Sequence, residues 1–125
     1  MHLIGKIDIE KYRCISPDIV TDEAVITEKQ IEHIKLRHPK DFERFSPYLR
    51  EILDAPDYIL EANRPNTALI LKEISIEQKR CKMVLRLITS TDDLNFKNSV
   101  ITFMGIDEKE WNRLIKNKKV LYKSE

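Results

Sequence analysis

Glycine is almost absent from the chain, with only Gly5 and Gly105 among 125 residues. A dinucleotide fingerprint needs three glycines and a phosphate-cradling loop needs two close together, so neither can be built. Cysteine is equally sparse: Cys14 and Cys81 lie far apart, with no Cys-x-x-Cys pair and no dense Cys/His spacing. They read as free thiols of a reducing compartment rather than as a disulfide or zinc framework. Long apolar runs are missing too. The longest is Ala68 to Leu71, against the ~20 residues a membrane-crossing helix needs. Met1 to Glu10 carries Lys6, Asp8 and Glu10 where a secretory leader would be apolar. A soluble cytoplasmic protein with no membrane association is expected. Nor is there an excess of one charge: 22 Lys+Arg oppose 21 Asp+Glu, for a net charge of +1, which excludes polyanion binding by bulk charge. The balance is nevertheless an average of unlike halves. Residues 1–62 carry 9 basic and 13 acidic residues (−4), and residues 63–125 carry 13 and 8 (+5), which leaves room for a localised polyanion site in the second half.

What is present suits one domain over residues 1–125, since 42% of the chain is apolar and a chain of this length buries enough surface to fold without metal or disulfide. Residues 3–7 and 11–15 read as a short N-terminal hairpin around Asp8-Ile9-Glu10, and Asp18 to Glu23 as a polar loop. Thr27 followed by Gln30 has the form of a capping box, starting a helix over about 28–38 that ends before Pro39. Ser46-Pro47 opens a second helix over about 47–54. Four strands follow, at 57–62, 68–76, 82–89 and 99–104. Asn63 to Thr67 forms a proline-set turn between the first two, and the short links favour an antiparallel meander. Asp107 caps a last helix to Asn117, and Val120-Leu121-Tyr122 adds a short strand. The fold class is therefore α+β: a short N-terminal hairpin and helices, then a four-stranded antiparallel sheet and a C-terminal helix.

Strand parity singles out two cations. Residues 82–89 present Met83, Leu85 and Leu87 on one face, and Lys82, Val84, Arg86 and Ile88 on the other. If Leu69, Leu71, Leu85 and Leu87 all pack on helices, Lys72 and Arg86 share the opposite face as an anion site. The same pattern also suits two side chains snorkelling from a solvated face. His33 and His38 are five residues apart, which turns them to different sides of a helix, whereas a helical zinc clamp needs a spacing of four. His38 falls near Ile31 and Ile34 on the wheel, and a packed histidine is its plain reading; His33 projects from the more polar side. Hydroxyls gather at Thr89, Ser90 and Thr91 and again at Ser99 and Thr102. No serine or cysteine sits in a glycine-bearing elbow, so a nucleophilic triad is not indicated. Imidazole, lysine, arginine and hydroxyls together fit phosphoryl chemistry better.

Several stretches, in order, resemble a known family. They are Ile4-Gly5-Lys6, Ile26-Thr27 leading to His33-Ile34 and Arg37-His38-Pro39, Pro56-Asp57-Tyr58-Ile59, and Asn63 to Thr67 with Leu71-Lys72. Val84-Leu85-Arg86-Leu87, Asn98 to Phe103 and Leu121-Tyr122 complete the set. Over nearly the whole chain this is similar to the phage-type nuclease domains grouped with barnase, EndoU, the tRNase colicins and RelE. The resemblance implies a helix followed by a four-stranded antiparallel sheet, and a metal-independent endoribonuclease of prophages or other mobile elements, often toxin-like. It implies no cofactor, an RNA substrate such as tRNA, and a cognate immunity protein as the kind of partner. Its motif positions are His33, His38, Arg64, Lys72, Arg86, Ser99 and Thr102. It casts a histidine, His38 before His33, as general acid or base. Lys72 and Arg86 would stabilise the phosphorane, Ser99 or Thr102 would position phosphate oxygens, and Arg64 would grip a flanking phosphate. The competing class is an inactive nuclease fold that binds RNA or a protein through the same cationic face.

Overall fold

The computed structural model describes residues 1–76 and 78–125. Its strands are β1 (His2–Lys6), β2 (Glu23–Ile26), β3 (Tyr58–Glu61), β4 (Thr67–Ile74), β5 (Lys79–Arg86), β6 (Asn98–Ile106) and β7 (Val120–Lys123). Its helices are α1 (Ile9–Tyr12), α2 (Glu28–Arg37), α3 (Pro39–Phe45), α4 (Leu49–Asp54) and α5 (Glu108–Asn117), with a 3-10 turn at Ser46–Tyr48. The α+β class and the antiparallel meander of β3 to β6 match the sequence reading. The sheet, however, has seven strands rather than four, in the order β1-β2-β6-β5-β4-β3-β7. It is also mixed, because β2 runs parallel to β6 through Ala24 opposite Asn98 and Val25 opposite Ser99.

The extra strands explain the differences at the N-terminus. The expected hairpin of 3–7 with 11–15 does not form. Instead β1 pairs with β2, and α1 takes in Ile9 and Glu10 of the expected turn with Lys11 and Tyr12 of the expected second strand, residues 13–15 forming a turn; at its start the Asp8 carboxylate accepts the Glu10 N–H at 3.1 Å. Apolar spacing alone could not separate the two outcomes, since Ile9, Tyr12 and Ile15 suit one helical face as well as a short strand. Tyr12 decides for the helix: it is fully buried and its hydroxyl donates to the Leu53 carbonyl at 2.7 Å. Pro39 does end α2, but it also begins α3, since a proline at the first helical position loses no hydrogen bond. The capping box at Thr27 and Gln30 and the Asp107 cap of α5 are both present.

Each face of the sheet is covered by helices. On one face Ala68, Ile70 and Ile74 of β4 meet Met83 and Leu85 of β5 and Val100 and Phe103 of β6, under Ile34, Phe45, Ile52 and Leu53 from α2 to α4. On the other face Leu60, Leu69 and Leu71 pack with Leu114 of α5. Apart from Ala68, each of these side chains contributes about 1.5–3 kcal/mol by leaving water. Gly105 lets α3 lie close on β6, because an added Cβ would stand 3.1 Å from the Phe45 ring and 3.2 Å from Asp41 Oδ1.

Asn98 stitches the start of β6 to two loops. Fully buried, it accepts the Ile88 N–H at 2.8 Å and donates to the Thr21 carbonyl at 2.8 Å. A buried backbone group left without its partner costs about 1–3 kcal/mol. Asn98→Ala is therefore expected to lower unfolding free energy by about 2–4 kcal/mol, read from the urea midpoint, with little loss of secondary structure.

Candidate functional site

Helix α5 covers only part of its face of the sheet. Beside it, the open part of that face forms a cleft of about 970 Å³ between α5, the turn at Asn63–Thr67 and strands β5 and β6. Its floor is apolar, from Leu69, Val84, Ile101 and Met104, and its walls carry Arg64, Lys82, Arg86, Arg113 and Lys118. No carboxylate and no imidazole is among the residues lining it. Five cations around an apolar floor suit a ligand with flat apolar groups on an anionic backbone.

The turn owes its shape to Pro65 and to Asn66, whose φ of 56° is one asparagine tolerates well. Thr67 closes it by donating its hydroxyl to the Pro65 carbonyl at 3.0 Å. This holds Arg64 at the rim, where among the described residues it has no ion-pair partner. Arg86 is held more firmly. It donates to the Leu87 carbonyl and, at 2.9 Å, to Asp92 Oδ1. Asp92 also accepts from the Thr89 N–H at 2.8 Å. That backbone donor first, and the Arg86 charge after it, hold the Asp92 carboxyl below its usual range. The pair thus persists to lower pH than it would with an unshifted carboxylate and orients the Arg86 guanidinium. On α5, Arg113 donates to both Glu110 oxygens, at 2.9 Å from Nη2 to Oε2, while Lys118 donates to Asn63 Oδ1 at 2.6 Å. Lys82, between Leu71 and Met104 in the register, forms no ion pair among the described residues.

Of the residues singled out from sequence, the cleft brings together Arg64, Arg86 and Thr102, the last opposite Val84. Ser99 lies opposite Arg86 in the register but does not line the cleft, and it donates its hydroxyl to Gln30 Oε1 of α2 at 3.1 Å. Lys72 is not among them. The register sets Thr67 opposite Arg86 and Lys72 opposite Cys81, so Lys72 and Arg86 project from opposite faces. The expectation of a shared face is corrected here, and the reason is that helices cover both faces. Leu69 and Leu71 belong to the α5 side and Leu85 and Leu87 to the other core, so apolarity did not mark a single buried face. Lys72 instead pairs with Asp57 at 3.6 Å, and Asp57 also accepts the Glu73 N–H at 2.7 Å.

The histidines lie outside the cleft as well. His33 is exposed on α2, and His38 is half-buried at the α2–α3 junction, donating its backbone N–H to the Ile34 carbonyl at 2.7 Å. Neither lines the cleft. The sequence pattern does not single out Lys82, Arg113 or Lys118 as site residues. A signal existed for Lys82, which strand parity places on the Arg86 face. Arg113 is legible only once Leu114 is known to face the sheet. Among the described residues no group of three His, Cys, Asp or Glu side chains forms a metal-binding cluster, and no helix is long and apolar enough to cross a membrane.

Comparison with known proteins adds a family. A family model described as phage-Barnase-EndoU-ColicinE5/D-RelE like nuclease2 matches residues 1–123. Neither the curated proteins nor the solved structures yield a match. Since the match spans almost the whole chain, this protein belongs to the phage-Barnase-EndoU-ColicinE5/D-RelE like nuclease2 family.

Proposed function

We propose that the protein is an endoribonuclease acting at the cationic cleft. The ribose 2′-oxygen attacks the adjacent phosphorus, the bond from phosphorus to the 5′-oxygen breaks, and the products are a cyclic phosphate end and a 5′-hydroxyl. The observation that carries this reading is the cleft itself, lined by five cations and no carboxylate. Arg86, oriented by Asp92, and Lys82 face the charge that develops on the phosphorane. A lysine ammonium, unlike a guanidinium, can give up a proton. Of the two cleft lysines, Lys118 is engaged with Asn63 Oδ1, so Lys82 is the one suited to protonating the departing 5′-oxygen, while solvent takes the 2′-hydroxyl proton. Thr102 orients a phosphate oxygen and Arg64 grips the flanking phosphate.

The absence of imidazole and carboxylate from the cleft lining favours one second reading, an RNA-binding module without cleavage. Incubation of the purified protein with total tRNA in EDTA separates the two. Fragments with cyclic phosphate ends, lost in Arg86→Ala, are expected for the enzyme. Retained RNA binding without fragments supports the module. Cleavage that EDTA abolishes would overturn the metal-independent step.

A further inference from the structure

The turn at Asn63–Thr67 is a ridge between two cavities. Behind it, away from the cleft, lies a second groove of about 400 Å³, and the two share Ala62, Asn63, Arg64, Pro65 and Thr67 as a common wall. Arg64 therefore borders both cavities. Consecutive lysines at the end of α5 divide between them, since Lys118 lines the cleft and Lys119 lines the groove. Lys119 is tied to the ridge through its backbone, its carbonyl accepting the Glu61 N–H at 3.0 Å. To the shared Asn63 the groove adds the Asn66 amide and the apolar Ile15 and Leu121, with Glu61 as the one carboxylate among its lining residues.

This chemistry differs from that of the cleft. Two cations suit one or two phosphates rather than a dense backbone, and asparagine amides are the side chains that read base edges. Asn63 Oδ1 is occupied by Lys118, which leaves its amide N–H groups as donors.

Resting on the ribonuclease reading above, we propose that the groove is a second nucleotide subsite. A single-stranded RNA crosses the ridge at Arg64, and its next nucleotide lies in the groove, with its phosphate between Arg64 and Lys119 and its base edge at Asn63 and Asn66. The substrate class is then a single strand longer than the segment being cut, and the enzyme discriminates by sequence or length on one side of the scissile bond.

Cys14 is a native reporter of this groove. It is exposed and lines it, whereas Cys81 is fully buried with its thiol pushed up to about 12. Alkylation of the intact protein with iodoacetamide at mildly alkaline pH therefore reads Cys14. The probes are 2′-O-methyl oligoribonucleotides, which lack the attacking hydroxyl: a dinucleotide, and a strand of about 12 nucleotides, within the range of known single-strand sites. At ten times the Kd of the longer strand, the Cys14 alkylation rate is expected to fall about tenfold, while the bound dinucleotide leaves it unchanged. Lys119→Ala should reduce the salt slope of binding by about 0.7 for the longer strand only. Binding of the longer strand that is sensitive to Arg86→Ala, with Cys14 reacting at its free rate, would overturn the subsite and leave the cleft reading standing. Failure of the longer strand to bind would overturn both.

Discussion

Arg86→Ala is expected to reduce RNA cleavage about 10²–10³-fold, the range seen when one preorganised donor to a developing oxyanion is removed. Arg86 stands in the cleft and is held there by two acceptors, the Leu87 carbonyl and Asp92, so its guanidinium need not reorganise as charge builds on the phosphate. Single-turnover cleavage of an end-labelled RNA at saturating protein isolates this step from binding. Lysine at position 86 keeps the charge but loses the planar fork, so Arg86→Lys should recover only part of the rate. Since the Arg86 side chain is one-third exposed, its removal leaves no deeply buried partner, and the melting temperature should barely change. His38→Ala and Lys72→Ala provide the contrast. Neither residue lines the cleft, and each variant should cleave within about threefold of the parent, well short of the factor a general acid or base supplies. A loss in His38→Ala as large as in Arg86→Ala would place the chemistry at the α2–α3 junction instead.

The largest effect on stability is expected at Phe103. This ring is fully buried in the core beneath α2 to α4 and stacks on Phe42 at 5.8 Å between centroids. It sits on β6 opposite the buried Met83 of β5. Removing such a ring leaves a void that neighbours on a hydrogen-bonded sheet cannot fill. Phe103→Ala should therefore cost about 3–5 kcal/mol, a large share of the 5–15 kcal/mol typical of a domain. Denaturant unfolding measures it as a lower midpoint at unchanged slope. Phe103→Leu leaves a smaller void and should lose less. A loss below about 1 kcal/mol in Phe103→Ala would mean that the core collapses around the site.

Most local structure was legible because its causes are local. The Thr27 and Gln30 capping box, the Asp107 cap, the Asn63–Thr67 turn and the four strands of the meander each answer to residues a few positions apart. What was missed answers to distant ones. Strand β2 has only four residues and is stabilised by pairing with β1 and β6, the latter more than 70 positions away. In α1, one turn is secured by Tyr12 reaching Leu53.

The candidate site divides along the same line. Sequence alone determined that no glycine-built phosphate loop exists and that positive charge concentrates in the second half of the chain. It also determined, through strand parity, that Lys82 and Arg86 share a face and, through the turn residues, that Arg64 stands at an exposed bend. The tertiary structure decided which face each strand turns to which helix. A period of two tells which residues of one strand share a side, but the relation between strands depends on register. Where one face is buried, hydrophobic pattern reveals that register. Here α5 buries Leu69 and Leu71 on one side while α2 to α4 cover Leu85 and Leu87 on the other. The pattern is then the same for both alignments, and only the folded sheet separates Lys72 from Arg86.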